Sequence, residues 1–169
     1  MKDKFVQAHM KVARIYADLS YAERKKVGAV IVKDDRILSI GYNGMPADWD
    51  NCCEKTLWHY EGGHPLPLRP VLVTKPEVLH AETNALAKLA ASTESGKDAT
   101  LFIYPYSPCM ECAKLIYQSG ISEVYFTEKY QNEDGLNFLK KAGVKVYQVH
   151  GLDDHHLAGS PRRLLAQNQ

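Results

Sequence analysis

The sequence has no surplus of charge of either sign. Its 169 residues include 21 lysines and arginines against 20 aspartates and glutamates, for a formal net charge of +1. Proteins that bind nucleic acids through their phosphates usually carry a basic surplus. The balance therefore disfavours a nucleic acid polymer as partner, although a small phosphorylated ligand needs only one or two cations.

Long apolar runs are also missing. No run approaches the roughly 20 residues that span a membrane, and the charged residues 1–4 are not followed by the apolar stretch of a signal peptide. We therefore expect no membrane partner and a cytoplasmic protein, in the host cytoplasm if the source is viral. Internal repeats and low-complexity segments are absent, and a chain of this length suits one domain over residues 1–169.

Cysteine is scarce, and its four residues form two pairs: Cys52, Cys53, Cys109 and Cys112. An even count indicates disulfides only in an exported chain. In a reducing compartment, paired cysteines more often bind metal or act in catalysis. Cys52 and Cys53, with His59 and His64 nearby, are compatible with a second, structural zinc. Adjacent cysteines rarely chelate one ion, so free thiols are the preferred interpretation.

Hydrophobic periodicity and turn residues predict alternating helices and strands. The expected helices cover residues 4–19, 79–93, 108–118 and 135–142, and the expected strands 27–33, 36–42, 100–104, 123–127 and 144–149. This order predicts an α/β fold: a three-layer α/β/α sandwich with a central mixed five-stranded sheet, mostly parallel after an opening antiparallel hairpin.

The remaining segments predict irregular structure or helix ends. Residues 43–76 are rich in proline and glycine without periodicity, which indicates a long loop region, and residues 151–169 form a polar tail. Asp3 is the expected N-cap of the first helix. Pro108 is the expected first residue of the third helix, and Ser160-Pro161 the expected start of a short final helix.

Two short segments carry residues that bind metals, each at the predicted start of a helix. Cys109 and Cys112 are three apart, so they share one helix face, and a helix N-terminus favours the thiolate form that binds metal. His80 and Glu82 are two apart and do not share a face. Both approach one ion only if it lies off the end of the helix, where first-turn side chains converge.

The number of ligands indicates the kind of site. Structural zinc sites are closed by four protein ligands, whereas catalytic sites leave the fourth position to water. His80, Cys109 and Cys112 make three. Zinc lowers the pKa of bound water from ~15.7 to ~7, and Glu82 is placed to accept its proton. The pattern predicts zinc-assisted hydrolysis; the alternative is a structural zinc with a fourth ligand elsewhere.

The combination H-x-E…P-C-x-x-C is the signature of zinc nucleobase deaminases. With residues 27–32, 41–46, 80–85 and 108–114, it makes the chain resemble the cytidine deaminase-like superfamily, and within it the deoxycytidylate deaminases, from about residue 11 to residue 149. The resemblance implies one catalytic Zn²⁺ per chain and the reaction of dCMP with water to give dUMP and ammonia, which supplies dUMP for dTMP synthesis.

The resemblance also implies a substrate pocket. Asn43 would contact the sugar. Arg24 is the expected ligand of the 5′-phosphate, because a guanidinium binds phosphate oxygens bidentately. Ala81, Tyr106 and Ser107 are the further expected substrate-binding residues.

Regulation and assembly rest on the resemblance alone. It implies allosteric control by dCTP and dTTP, Mg²⁺ accompanying a nucleotide effector, and a homohexamer. Residues 103–108 are one residue longer than the family pattern between strand and cysteine helix.

Alternative interpretations remain for several of these residues. Arg24 with Lys25 and Lys26 is otherwise a solvated basic turn, and Asn43-Gly44 is a common turn pair. The substrate is alternatively another amino-heterocycle: a tRNA adenosine, guanine or a riboflavin precursor. A non-catalytic, zinc-stabilised nucleotide sensor is a third hypothesis. The charge balance and residues 41–46 disfavour tRNA, and the intact Glu82 disfavours the sensor.

Overall fold

The structure, a computed structural model, describes residues 1–59, 69–152 and 165–166, with the backbone alone at residues 59, 69, 165 and 166. The helices are α1 Asp3–Asp18, α2 Ala81–Ala90, α3 Met110–Gln118 and α4 Asp134–Lys141. The strands are β1 Gly28–Lys33, β2 Arg36–Tyr42, β3 Glu54–His59, β4 Arg69–Thr74, β5 Thr100–Tyr106, β6 Glu123–Glu128, β7 Lys145–Gln148 and β8 Leu165–Ala166. No helix within the described ranges is long and apolar enough to cross a membrane.

The central sheet has the strand order β2-β1-β5-β6-β7, and the two-residue β8 extends it beside β7. The prediction of a mixed five-stranded centre is confirmed. β5, β6 and β7 are parallel, but β1 is antiparallel to both β2 and β5. The sheet is therefore less parallel than expected. The reason is the connection through α2, which carries the chain from edge strand β2 past β1. β5 therefore runs in the same direction as β2 and is antiparallel to β1.

Helices cover both faces of the sheet, as the three-layer prediction requires. Alternate residues of β1 point to opposite faces: Ala29 and Ile31 pack with α2, α3 and α4, while Val30 and Val32 pack with α1. Two separate apolar cores result, one on each face. The α1 core includes a stack of three aromatic rings, Phe102, Tyr125 and Tyr147, with centroid distances of 5.0 and 4.7 Å.

The prediction that residues 43–76 form only a loop is wrong. β3 and β4 lie within this range and form an antiparallel two-stranded sheet of their own, with Glu54 opposite Thr74 at its base. Pro70 in β4 stands opposite Trp58 in β3. Proline cannot donate a backbone hydrogen bond, but it is tolerated in a strand that has a free edge. Both strands of a two-stranded sheet have one.

Several predicted helix starts are displaced in the structure. Lys2, not Asp3, is the N-cap of α1, and Asp3 is the first helical residue, where its charge suits the helix dipole. Cys109, not Pro108, borders α3: its extended backbone makes it the N-cap, so Pro108 precedes the helix. The predicted start at Ser160-Pro161 lies outside the described residues.

The pairing of β5 with β6 is irregular within segment 103–108, while the extra length of this segment relative to the family pattern stays a prediction. Ile103 pairs with Phe126 and Tyr106 with Glu128, so three steps along β5 match two steps along β6. One additional residue on one strand of a pair is a β-bulge, which re-aims the side chains that follow it. Here those side chains are Tyr106 and Ser107, and both line a pocket.

Candidate active site

Three metal-binding side chains meet where α2 and α3 begin. His80 and Cys109 are the N-cap residues of the two helices, and Cys112 lies in the first turn of α3. The His80 Nδ1 is 3.6 Å from the Cys109 sulfur and 3.4 Å from the Cys112 sulfur. The three donor atoms lie within 4.8 Å of one another. One imidazole nitrogen and two thiolates are a donor set that suits zinc, and three protein ligands leave one tetrahedral position open.

Two glycines let the supporting elements approach this cluster closely. A Cβ at Gly41 in β2 would collide with the backbone of α2 at Ala81 and Ala85. A Cβ at Gly135, at the start of α4, would collide with the carbonyl groups of Pro108 and Cys109. Gly41 therefore allows β2 to approach the first turn of α2 closely. Gly135 likewise allows α4 to approach the N-cap of α3.

A hydrogen bond between the two cysteine side chains shifts their pKa values in opposite directions. The Cys112 thiol donates a hydrogen bond to the Cys109 sulfur and lowers the pKa of Cys109 to about 3. The same hydrogen bond and burial raise the pKa of Cys112. Both cysteines must be thiolates to bind zinc, so binding releases the Cys112 proton and weakens as the pH falls.

Glu82 lies in the first turn of α2, beside the three donors, and is only 5% exposed. Burial raises its pKa, against smaller opposite effects that include the nearby His80. A carboxyl group with a raised pKa holds a proton more readily near neutral pH than an exposed one does. The side chain thus has the chemistry of a general acid and base next to the metal site.

A pocket of about 330 Å³ opens onto the cluster, a volume suited to a small molecule. Every predicted site residue except the fully buried Cys112 lines it. The lining residues are Arg24, Lys25, Val27, Asn43, Thr74, Val78, His80, Ala81, Glu82, Tyr106, Ser107, Cys109, Tyr130 and Gln131.

Asn43 and Ser107 also hold the pocket wall together. The Asn43 side-chain oxygen accepts a hydrogen bond from the Val27 N–H (2.8 Å), and its amide nitrogen donates to the Lys25 carbonyl (2.7 Å). These bonds leave one N–H and one lone pair of the amide for a ligand. The Ser107 hydroxyl accepts the Tyr130 N–H at 2.8 Å.

Several lining residues escaped the sequence analysis. The Lys25 ammonium lies 4.3 Å from the ring centroid of Tyr106 and 5.0 Å from that of Tyr130, so two aromatic rings hold a cation at the pocket. Lys25 carried a weak signal, since it follows Arg24 in a basic turn. Thr74 was hidden in the predicted loop, and no motif marks Tyr130.

Neither cysteine of the second pair is among the residues that line the pocket. Cys52 is exposed, Cys53 is buried, and both are free thiols. Burial raises the pKa of Cys53. His64 and the side chain of His59 lie outside the described residues, so a second zinc at this place stays a prediction.

Fold and site together define a class of α/β proteins in which one zinc binds where two helices begin, with a carboxylate beside it. Residues 3–128 match the family described as the cytidine and deoxycytidylate deaminase zinc-binding region. The chain belongs to this deaminase family, and zinc is its metal.

Relatives and solved structures agree with this assignment. The deoxycytidylate deaminase of Saccharomyces cerevisiae is 35% identical over 149 residues, which are 88% of this chain but 46% of the relative, so the chain spans about half of the yeast protein. That of phage T4 is 35% identical, with 73% of this chain and 79% of the relative covered.

Among solved structures, the dCMP deaminase of cyanophage S-TIM5 in complex with dCMP and dUMP has a TM-score of 0.75. It is 39% identical to this chain, covering 88% of this chain and 99% of its own. A deaminase/reductase from Thermotoga maritima, 24% identical with a TM-score of 0.59, shares the fold.

Proposed function

We propose that the chain catalyses the hydrolytic deamination of dCMP, giving dUMP and ammonia. The observation that carries this proposal is the meeting of His80, Cys109 and Cys112 beside a buried Glu82 at a pocket of about 330 Å³. The similarity to a dCMP deaminase solved with dCMP and dUMP supports the choice of substrate.

His80, Cys109 and Cys112 would hold the zinc, which supplies an activated water molecule at neutral pH when bound. The Glu82 carboxylate takes a proton from the attacking water and passes it to the ring nitrogen beside the reacting carbon. It then takes the remaining proton of the added hydroxyl group and delivers it to the amino group, so that the C–N bond breaks, ammonia leaves and a carbonyl group remains. Burial suits Glu82 to this work because it keeps the proton within the site between these transfers.

The other predicted residues would bind and orient the nucleotide. Asn43 offers its remaining N–H and lone pair to the sugar. Arg24 lies at the pocket and offers its guanidinium to the 5′-phosphate. Ala81 contributes a backbone N–H of the first helical turn, which has no partner within the helix. Tyr106 and Ser107 line the pocket after the bulge in β5 and would border the pyrimidine ring.

Effectors, assembly and location belong to the same proposal. Control by dCTP and dTTP, Mg²⁺ accompanying an effector, a homohexamer and a cytoplasmic location are supported by the family resemblance. Activity measured with and without each triphosphate and with Mg²⁺, and sedimentation of the purified protein, test the first three.

The direct test is ammonia release by the purified zinc protein with dCMP, dCTP, cytidine and guanine. We expect release from dCMP and much less from the others. Release from guanine in preference to dCMP would support another amino-heterocycle as substrate. Nucleotide binding without release from any compound would support the sensor.

The role of Glu82 has its own test. Glu82→Gln keeps the side-chain shape but cannot hold the proton, so turnover should fall by about 10³-fold or more while zinc content and folding are unchanged. Glu111→Gln is the matched control, because Glu111 lies on α3 with its side chain 77% exposed in a salt bridge to Lys114. Retained turnover in Glu82→Gln would remove Glu82 from the reaction.

A further inference from the structure

The loop that carries Arg24 is tied to the base of the β3–β4 hairpin at two points. The Glu54 carboxylate in β3, only 7% exposed, accepts the backbone N–H groups of Glu23 at 3.2 Å and Arg24 at 3.3 Å. Across the hairpin, the hydroxyl of Thr74, the register partner of Glu54, accepts a hydrogen bond of 3.1 Å from the Arg24 guanidinium. The first residue of β3 thus holds the Arg24 backbone, and the last residue of β4 holds its side chain.

Each of these contacts has a physical consequence for the guanidinium. A buried carboxylate is costly unless it is hydrogen-bonded, so Glu54 resists any movement of the loop that would break its two bonds. A free arginine side chain samples many rotamers and loses that freedom when it binds a ligand. The Thr74 hydroxyl limits those rotamers in advance and holds the guanidinium at the pocket that both residues line.

We propose that Glu54 and Thr74 are positioning residues for the phosphate subsite, and that they strengthen the preference for a nucleotide over a nucleoside. The inference rests on the proposed function, in which Arg24 binds the 5′-phosphate of the substrate. It gives the β3–β4 hairpin a role in substrate selection, although neither residue would touch the reacting atoms.

The test compares kcat and KM for dCMP and for deoxycytidine, which lacks the phosphate. Thr74→Val removes the hydroxyl and keeps the shape. We expect its KM for dCMP to rise about fivefold, the size of one lost hydrogen bond, with kcat within twofold and the values for deoxycytidine unchanged. Glu54→Gln should act in the same direction, because an amide is a weaker acceptor for the loop N–H groups.

Matched controls separate this effect from general damage to the hairpin. Thr56→Val is the control for Thr74→Val and lies at an exposed position of β3. Glu77→Gln is the control for Glu54→Gln and lies at an exposed position outside the hairpin. Both controls should leave KM for dCMP unchanged. Zinc content and melting temperature, measured for every variant, establish that the compared proteins are folded and metallated.

The double variant decides whether the residues act through Arg24. Arg24→Met alone should raise KM for dCMP, and adding Thr74→Val to it should cause no further rise. This comparison needs dCMP alone, so it holds however slowly deoxycytidine reacts. A further fivefold rise in the double variant would overturn the inference, as would equal losses for dCMP and deoxycytidine in Thr74→Val.

The measurements with wild type and Arg24→Met distinguish failure of the proposed function from failure of the positioning role. If the zinc-loaded wild-type protein releases no ammonia from dCMP, the proposed function fails and this inference fails with it. If the wild type is active but Arg24→Met leaves KM for dCMP unchanged, the proposed function stands and the positioning role is overturned.

Discussion

A buried histidine in α1 leads to a quantitative prediction about stability and pH. His9 is 8% exposed, and its ring centroid lies 5.2 Å from that of Phe102. Its Nε2 has no hydrogen-bond partner within the described part of the chain. Burial lowers the pKa of His9, and the carboxylate of Asp35 has a smaller, opposite effect. The fold therefore favours the neutral ring and leaves a buried polar atom unsatisfied.

The perturbation is His9→Leu. Removing an unsatisfied buried polar group should stabilise the protein by about 1–3 kcal/mol. Losing the contact between the His9 and Phe102 rings costs about 0.5–1.5 kcal/mol. We therefore expect a net gain in the free energy of unfolding of roughly 1 kcal/mol at pH 8, where the histidine is neutral in both states.

The gain should grow at lower pH. Above the ordinary histidine pKa of about 6.5, neither state binds the proton, and the stability of the wild type is fully present. As the pH falls below this value, the unfolded chain binds the proton and the folded chain resists it. At pH 5.5 this costs the wild type up to about 1.4 kcal/mol. The variant has no such group at position 9 and escapes this loss.

Urea denaturation at pH 8 and pH 5.5, followed by circular dichroism, measures both effects. Zinc binding also weakens in acid, but it does so in both proteins, so the difference between them isolates His9. His150→Leu makes the same substitution at an exposed position and serves as the control. If His9→Leu loses as much stability as the wild type between the two pH values, the argument from the buried neutral ring is refuted.

Three further predictions concern the metal site and the surface. Gly135→Ala should lower zinc affinity and the melting temperature, because the new Cβ collides with Pro108 and Cys109; calorimetry and metal analysis check this, and unchanged values would contradict the close approach of α4. Cys109→Ser should reduce bound zinc to well below one equivalent, and full retention after dialysis would exclude Cys109 as a ligand. Arg36→Ala breaks an exposed 3.0 Å salt bridge to Glu94 and should change the unfolding free energy by less than about 1 kcal/mol; a larger loss by urea titration would contradict its exposure.

The metal cluster could be predicted because its residues lie in two short segments of the sequence. Spacings of two and three residues at helix starts place His80, Glu82, Cys109 and Cys112 without reference to the rest of the chain, although α2 and α3 each begin two residues later than predicted. The five central strands were likewise visible as short apolar runs.

The rest depends on contacts that are distant in sequence. Antiparallel pairing of β1 with β5 joins residues more than 60 positions apart, and alternation of strands and helices carries no information about that direction. β3 and β4 stabilise each other only through their mutual register, and Pro70 within β4 reads as a loop signal. Thr74 and Tyr130 reach the pocket through this tertiary arrangement, so no local pattern identified them.

The two cores on opposite faces of the sheet allow stability and chemistry to be changed separately. All four chemical groups of the metal site belong to the layer of α2 and α3, whereas α1 packs across the sheet from them. Substitutions beneath α1 should therefore change the heat tolerance of the protein and leave the metal site intact. A thermostable version is best sought by redesigning that helix and the aromatic stack it covers.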